Sequence, residues 1–352
     1  MNPGDLCLVT GVSGYLASWI AKDLLARGFR VRGTVRSLAD TDRTATLARL
    51  LPGIELVAAD LRQEDGWTQA VAGCAWVFHV ASPQAVKAER QRTAGALSGT
   101  RHLLSAAFAE PSVRKVVVTS SEAAIAYGHP RSQRSVSEDD WTDLSQVGAG
   151  ADYFRSKTLA ERLAWELAAD ARVNPRKVPL ATVNPCLILG PSLVPWGRFS
   201  LQLLSDIATG KMPLLVDMTV HMVDVRDCAR MHVAVMADAS TDGRRQFSFA
   251  TQASFADLTR SVARQFGPLG FRPRARVAPQ WLAWLLSKLS PAMRSIYSHV
   301  GNPIRYEAKN PGVYRYEHRD ADAIVKASFE SILAHRWLAA KTSTRAVRHP
   351  GR

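Results

Sequence analysis

The sequence predicts an α/β protein built on a doubly wound parallel sheet, with a smaller C-terminal lobe. Three observations carry that prediction. Short apolar runs alternate with amphipathic stretches through the first half of the 352 residues, the pattern of parallel strands joined by crossover helices. The first apolar run passes directly into a glycine-rich turn and a helical pattern, Thr10-Gly-Val-Ser-Gly-Tyr-Leu-Ala17. After Pro185 the alternation breaks into pieces punctuated by proline and glycine, such as Gly190-Pro191 and Pro195-Trp-Gly197.

Taken in order, strands are expected at 6–10, Arg30–Val35, 54–58, 75–79, Lys115–Thr119 and 180–184, with helices at about Tyr15–Ala26, 63–71, 93–109 and 152–171. Apolar runs bounded by turn residues argue for the strands, and recurrence every three to four residues for the helices. Beyond Pro185 the pattern gives an amphipathic stretch at 201–208, a strand-like 220–225, and helices at about Phe255–Phe266 and 281–289. No element is assigned from about 304 onward. The chain therefore divides into a sheet domain, 1–186, and a second lobe, 187–340, from which a strand near 220–226 returns to the sheet. The stretch 341–352, KTSTRAVRHPGR, reads as a basic disordered tail.

Composition excludes several function classes. A hydrophobic content of 47% and a charged content of 22% are those of a globular protein. No apolar stretch approaches the ~20 residues of a membrane span, and residues 1–5 carry no basic signal-like region. A cytoplasmic protein with no membrane partner is expected. Four cysteines lie far apart without a CxxC pair, and nine histidines form no ligand cluster, so reduced buried thiols and no metal are expected. The net charge of +14 comes partly from the acid-free run 331–352. The arginines elsewhere form no aromatic-interleaved stripe, which argues against nucleic acid.

The turn after the first strand has the spacing Gly11-x-x-Gly14-x-x-Ala17. Gly11 allows a tight turn, Gly14 lets the backbone approach a pyrophosphate, and Ala17 permits close helix–strand packing; the helix N-terminus then faces the phosphates. Ser13, Tyr15 and Leu16 belong to the same turn and are counted as cofactor-binding. At the end of the second strand stand Arg36 and Ser37, where a carboxylate would hold the ribose 2′-hydroxyl of NAD. A guanidinium there suits the 2′-phosphate of NADP, and Arg43 is a candidate second cation. Asp60 and Leu61 follow the third strand, placed to meet the adenine edge; Asp60 is equally placed to cap a helix.

The chemistry points to two segments. The fifth strand ends in Thr119-Ser120-Ser121, at the carboxyl edge where open α/β sheets bind their ligands. Of seven tyrosines, only Tyr153 has a lysine four residues on, Lys157. On a helix these two share a face, and an ammonium beside a phenol of pKa ~10 favours the phenolate. A hydroxyl and such a phenol can flank one carbonyl oxygen.

Over roughly residues 5–290 the chain resembles the extended short-chain dehydrogenase/reductases, a Rossmann-type family, and among them the dihydroflavonol-reductase-like branch with its aldehyde and ketone reductases. The resemblance rests on VTGVSGYLASWIAKDLLARGFRVRGTVR (9–36), VFHVASP (77–83), VVVTSSEAAIAYGHP (116–130), SEDDWTD (137–143), YFRSKTLAE (153–161), NPCLILGPS (184–192) and HMVDVRDCARMH (221–232). It implies an NADPH-dependent reductase of an aldehyde or ketone, with Tyr153 as proton donor, Lys157 holding the nicotinamide ribose and lowering the phenol's pKa, and Ser121 bonding the substrate oxygen. It also implies cofactor contacts from Val80, Ala81, Ser82, Thr119, Pro185 and Leu187. Substrate contacts fall to Ser82, Ala123, Ala126, Val220 and His221. The partner implied is a small carbonyl or alcohol, and the assembly a monomer or homodimer. Two departures stand out. Ala126 offers a polyphenol hydroxyl no partner, and the Asn-Trp-Tyr-Cys-Tyr signature of cinnamoyl-CoA reductases is replaced by Ala151-Asp-Tyr-Phe-Arg155. The family's C-terminal strand–helix module is not clearly reproduced in 316–337. The alternatives are an epimerase, a dehydratase or a hydroxysteroid dehydrogenase/isomerase of the same superfamily, and a non-catalytic NADP sensor.

Overall fold

The computed structural model describes residues 1–83, 89–148, 152–197 and 200–339; the expected tail at 341–352 lies outside them. In chain order the first half runs β1 (Leu6–Val9), α1 (Tyr15–Ala26), β2 (Arg30–Val35), α2 (Thr41–Leu50), β3 (Glu55–Ala58), α3 (Trp67–Val71), β4 (Trp76–His79), α4 (Glu89–Ala109), β5 (Lys115–Thr119), β6 (Ser135–Ser137), α5 (Asp152–Ala169) and β7 (Leu180–Pro185). The second half runs β8 (Leu187–Leu189), α6 (Gln202–Thr209), β9 (Thr219–Asp224), α7 (Val225–Ala237), β10 (Arg245–Ser248), β11 (Thr251–Ser254), α8 (Phe255–Phe266), α9 (Gln280–Leu289), α10 (Pro291–Ile296), β12 (Arg305–Glu307) and α11 (Ala321–Ala334).

Seven strands form one parallel sheet in the order β10-β7-β5-β4-β1-β2-β3. The chain moves outward from β1 to β3, then returns to β4 on the other side of β1, so a topological switch point opens between β1 and β4. Alternate residues of each strand feed opposite faces. Cys7 and Val9 join the core beneath α1 and α7, while Leu6 and Leu8 join the core beneath α4 and α5. Burial on both faces is why β1, β4 and β5 read as unbroken apolar runs.

The second lobe holds a three-stranded sheet, β11-β9-β8. Its core joins Leu189 and Met222 to apolar faces of α6, α8 and α11. The strand expected near 220–226 does occur, as β9, but it pairs with β8 and β11. It is β10 that returns to the main sheet, beside β7. The stretch beyond 304, without an assigned element, supplies two. The strand β12 pairs in parallel with β6, and α11, capped by Asp320, packs against α8 and α6.

The helix α11 latches the loop 190–197. Ser328 Oγ accepts from Gly190 N at 2.6 Å and Ser331 Oγ from Ser192 N at 2.9 Å. Beyond the helix, His335 Nε2 lies 2.9 Å from the Ser192 carbonyl, and Trp337 Nε1 donates to the Pro195 carbonyl at 2.7 Å. That loop in turn backs the glycine turn. Trp196 Nε1 donates to Ser13 O at 2.6 Å, Tyr15 OH to Gly190 O at 2.7 Å, and Trp19 Nε1 to Pro191 O at 2.8 Å.

Candidate active site

The switch point is tied together by one threonine. Thr10, at the end of β1, accepts at Oγ1 from Val80 N and Ala81 N at 2.9 Å each and lies 3.1 Å from His79 Nδ1. This fixes the two strand ends side by side. Gly11 has φ +64°, and a Cβ there would meet Ala81 Cβ at 3.0 Å and its Cα at 3.2 Å, so both its backbone and its neighbour require glycine. Gly14 is the N-cap of α1, and no side chain satisfies the helix's first amides. A helix N-terminus left uncapped at a glycine-lined crevice fits a pyrophosphate. Ser13, Tyr15 and Leu16 lie on this turn and on the first residues of α1, as expected.

At the β2 end, Arg36 and Ser37 are exposed, and Ser37 Oγ accepts from Ala39 N at 3.1 Å. Arg43 is partly engaged. It pairs with Asp40 at 3.2 Å, and its guanidinium lies 4.8 Å from the centre of the Trp196 ring. Asp60 caps no helix, because α3 begins later with Gly66 as its N-cap. Its carboxylate is held by Arg62, through the guanidinium at 2.6 Å and the backbone N at 3.0 Å. The Arg62 hydrogen bond also holds the Asp60 carboxyl below the usual range, with Arg36 a smaller contributor. Leu61 packs on α4 where Gly99 leaves room; a Cβ at 99 would meet Leu61 Cδ2 at 2.4 Å.

The proposed chemical groups meet at the carboxyl end of β5. Tyr153 OH lies 3.3 Å from Ser121 Oγ, to which it donates. Lys157 Nζ donates to Thr119 O at 3.1 Å. Ser120, Lys157 and Thr119 line one crevice with His79, Ala81 and Ser82. Burial pushes the Tyr153 phenol up; the Ser121 hydrogen bond pulls it down and the Glu122 carboxylate pushes it up again. The net shift is thus opposite to the lowering expected from Lys157, whose ammonium points at the Thr119 carbonyl and whose own pKa burial lowers to about 8. His79, buried beside Lys157, is lowered to about 3, first by burial.

A buried polar network lies behind these groups. Glu161, one turn beyond Lys157 on α5, forms an ion pair with Arg245 of β10 at 2.6 Å. It accepts from Ser120 Oγ at 2.5 Å, Asn184 Nδ2 at 2.8 Å and Thr182 Oγ1 at 3.2 Å. Asn184 also donates to the Ser121 carbonyl at 3.2 Å. Thr119 Oγ1 lies 2.9 Å from His232 Nε2, whose Nδ1 is 2.7 Å from the Cys228 carbonyl; that carbonyl requires the proton on Nδ1, so Nε2 accepts. Sequence reasoning missed Glu161, Asn184, Arg245 and His232. Glu161 had a signal, since it falls four residues after Lys157 on the same helix.

The pocket wall differs from expectation. Ala123 and Ala126 are 1% and 0% exposed and present no surface to a ligand; Ala123 lies within the 3₁₀ turn that follows Ser121, and Ala126 just after it. Val220 packs into the second lobe's core. His221 is stacked on Tyr306 with ring centres 3.8 Å apart and abuts Phe249 edge-on; burial lowers it to about 4. Pro185 is buried at the end of β7, and Leu187, half-buried, begins β8. One feature had no sequence signal. Glu122 sits beside Tyr153, bonded to Tyr127, Tyr306 and Cys186; burial raises its carboxyl to about 7 despite these three hydrogen bonds.

Comparison with known proteins identifies the family. The model of the NAD dependent epimerase/dehydratase family matches residues 7–248. Cinnamoyl-CoA reductase 1 of Arabidopsis thaliana is 37% identical over 246 residues, 68% of this chain and 69% of that protein. Anthocyanidin reductase of the same plant is 32% identical over 254 residues, 67% of this chain and 73% of that one. Among solved structures, vestitone reductase from alfalfa superposes with a TM-score of 0.73 at 23% identity, covering 95% of this chain and all of that one (100%). Yeast methylglyoxal/isovaleraldehyde reductase Gre2, complexed with NADPH, also gives 0.73, at 20% identity over 94% of this chain and 98% of that one. These two share the fold. The chain belongs to the NAD dependent epimerase/dehydratase family and is an oxidoreductase of its dihydroflavonol-reductase-like branch.

Proposed function

We propose that Tyr153, Ser121 and Lys157 are the catalytic group of an NADPH-dependent reductase that converts an aldehyde or ketone to its alcohol. The observation that carries this reading is the Tyr153–Ser121 hydrogen bond of 3.3 Å at the mouth of β5, beside the glycine turn of β1. A carbonyl oxygen placed between the two hydroxyls accepts from both, and their dipoles stabilise the negative charge that develops there. The bound dinucleotide supplies a hydride to the carbonyl carbon. Tyr153 gives its phenolic proton to the oxygen, and the alcohol leaves with one hydrogen from each source. Burial keeps the phenol protonated until that moment. Lys157 stands one helical turn along the same face as a cation, disposed to hold ribose hydroxyls and to stabilise the tyrosinate left behind. The uncapped start of α1 and the glycine at 11 receive the pyrophosphate, and Arg36 is the cation for a 2′-phosphate. Ser82 borders the same crevice and is disposed to touch the substrate. Tyr127, Phe249 and Tyr306 belong to a buried aromatic cluster, with Glu122 as its acidic group.

Tyr153→Phe removes the proton and little else. Turnover of NADPH with a broad carbonyl panel should fall by about a hundredfold or more, while NADPH affinity by fluorescence titration stays within a few-fold. Undiminished turnover in that variant would overturn the mechanism.

A further inference from the structure

Helix α9 is packed inside out. Its small residues Ala283 and Ser287 face inward and are buried, while Trp281 (67% exposed), Trp284 (50%), Leu285 (41%) and Leu289 (73%) face solvent. Positions 281, 284, 285 and 289 follow helical spacing, so they form one stripe. Val277, two residues before the Pro279 N-cap, is also exposed, and its bridge to Leu215 brings the exposed Leu214 alongside. Single exposed leucines are ordinary, but a contiguous apolar patch containing two tryptophans marks a contact surface.

The sequence that carries this stripe is basic. From Leu258 to Tyr306 the sequence contains no acidic residue. Arg272, Arg274 and Arg276, all exposed on the extended run leading to α9, line a cavity of about 320 Å3. Lys288 lies 5.7 Å from the Trp284 ring centre, and Arg294 donates to the carbonyls of Ser287 and Lys288 at the helix's C-terminal end. The chain as a whole carries +14. A second copy seated on this stripe would bring the same arginines against themselves, whereas an anionic lipid surface complements both features. Tryptophan rings suit the headgroup level, and each arginine or lysine nearby adds attraction to anionic lipid.

We propose that α9 and its arginine rim form a peripheral docking surface for an anionic lipid bilayer. The helix lies in the interface plane. Among the described residues no helix is long and apolar enough to cross a membrane, and α9 itself is only 10 residues long. The expectation of no membrane partner rested on spans and signal-like segments, neither of which bears on a helix that lies on a surface.

Flotation of the full chain with lipid vesicles tests this. The protein should float with phosphatidylcholine–phosphatidylserine vesicles and not with phosphatidylcholine alone, and added salt should weaken the association. The double variant Trp281→Ser/Trp284→Ser should lower the bound fraction about tenfold, with its melting temperature and NADPH binding unchanged. Arg274→Glu should weaken binding about fivefold by charge alone, which keeps the test open should the double variant prove unstable. Absence of flotation, or flotation indifferent to these substitutions, would overturn the proposal. So would a dimer in sedimentation that the tryptophan variant dissociates and vesicles do not, because that result assigns the stripe to a second copy.

Discussion

Burial and neighbouring side chains together set the hold on the Tyr153 proton. Burial and the Glu122 carboxylate hold it on the phenol, and Ser121 eases its departure. Reduction needs the phenol and alcohol oxidation needs the tyrosinate, so Glu122 biases the site toward reduction once it ionises above about 7. Glu122→Gln removes that push, and the acid limb of the alcohol-oxidation pH profile should move to lower pH, with little change in the profile's height. An unmoved limb in kcat/KM against pH would show that the carboxylate does not reach the phenol. At the other end of the crevice Arg36 makes a separate prediction. A charge-assisted contact to a phosphate contributes roughly 1.5–3 kcal/mol, so Arg36→Ala should raise KM for NADPH about ten- to a hundredfold and leave KM for NADH nearly unchanged. Ser121, Tyr153, Lys157 and Arg36 were legible because each sits at a position that strand ends and helical spacing define locally. Glu122 was not, since its meaning depends on Tyr306, which arrives on β12 from the far end of the chain.

Elements of the sheet were legible to the extent that burial imposed a pattern. Two-faced burial made β1, β4 and β5 continuous apolar runs, and the start of α1 followed from the glycine turn. The helix α2 escaped notice because it is a polar surface helix with only Leu47 buried. The strand β9 was found but assigned to the wrong sheet, since an apolar run does not say which edge it will pair with. What joins these elements at the site is the Glu161–Arg245 pair, both nearly inaccessible at 0% and 8% of side-chain surface. It links α5 to β10 and, through Ser120 and Asn184, fixes the turn that presents Ser121. Removing one partner of such a pair leaves a buried charge alone and costs about 3–5 kcal/mol. Glu161→Ala should therefore lower stability by that amount in urea melts; a loss under 1 kcal/mol, ~0.5 for example, would mean that the network is a bystander.

For the molecule as a whole, buried histidines set the acid limit. Burial lowers His79 to about 3 and His221, His232 and His299 to about 4 each. In the unfolded chain they titrate near 6.5, so below that pH the unfolded state binds more protons and stability falls, down to the folded values near 4. Glu122 acts in the opposite sense. Its raised pKa adds stability below the ordinary 4.5 that is lost as pH rises through about 7. Four histidines outweigh one carboxyl, and calorimetry should show a melting temperature that declines steadily from about pH 6.5 towards pH 4. A level profile across that window would contradict the burial of these rings.

The latch formed by α11 also bears on the order of synthesis. The glycine turn at Gly11–Ala17 leaves the ribosome before α11, and a chain extended through β10 already has every strand of the main sheet. The loop that backs the turn through Trp196 and Tyr15 is itself fixed by Ser328, Ser331 and His335. A nascent chain therefore has its sheet long before its glycine turn is buttressed, and on the proposed reading of that turn cofactor capture becomes a late event that distinguishes a finished molecule from an unfinished one.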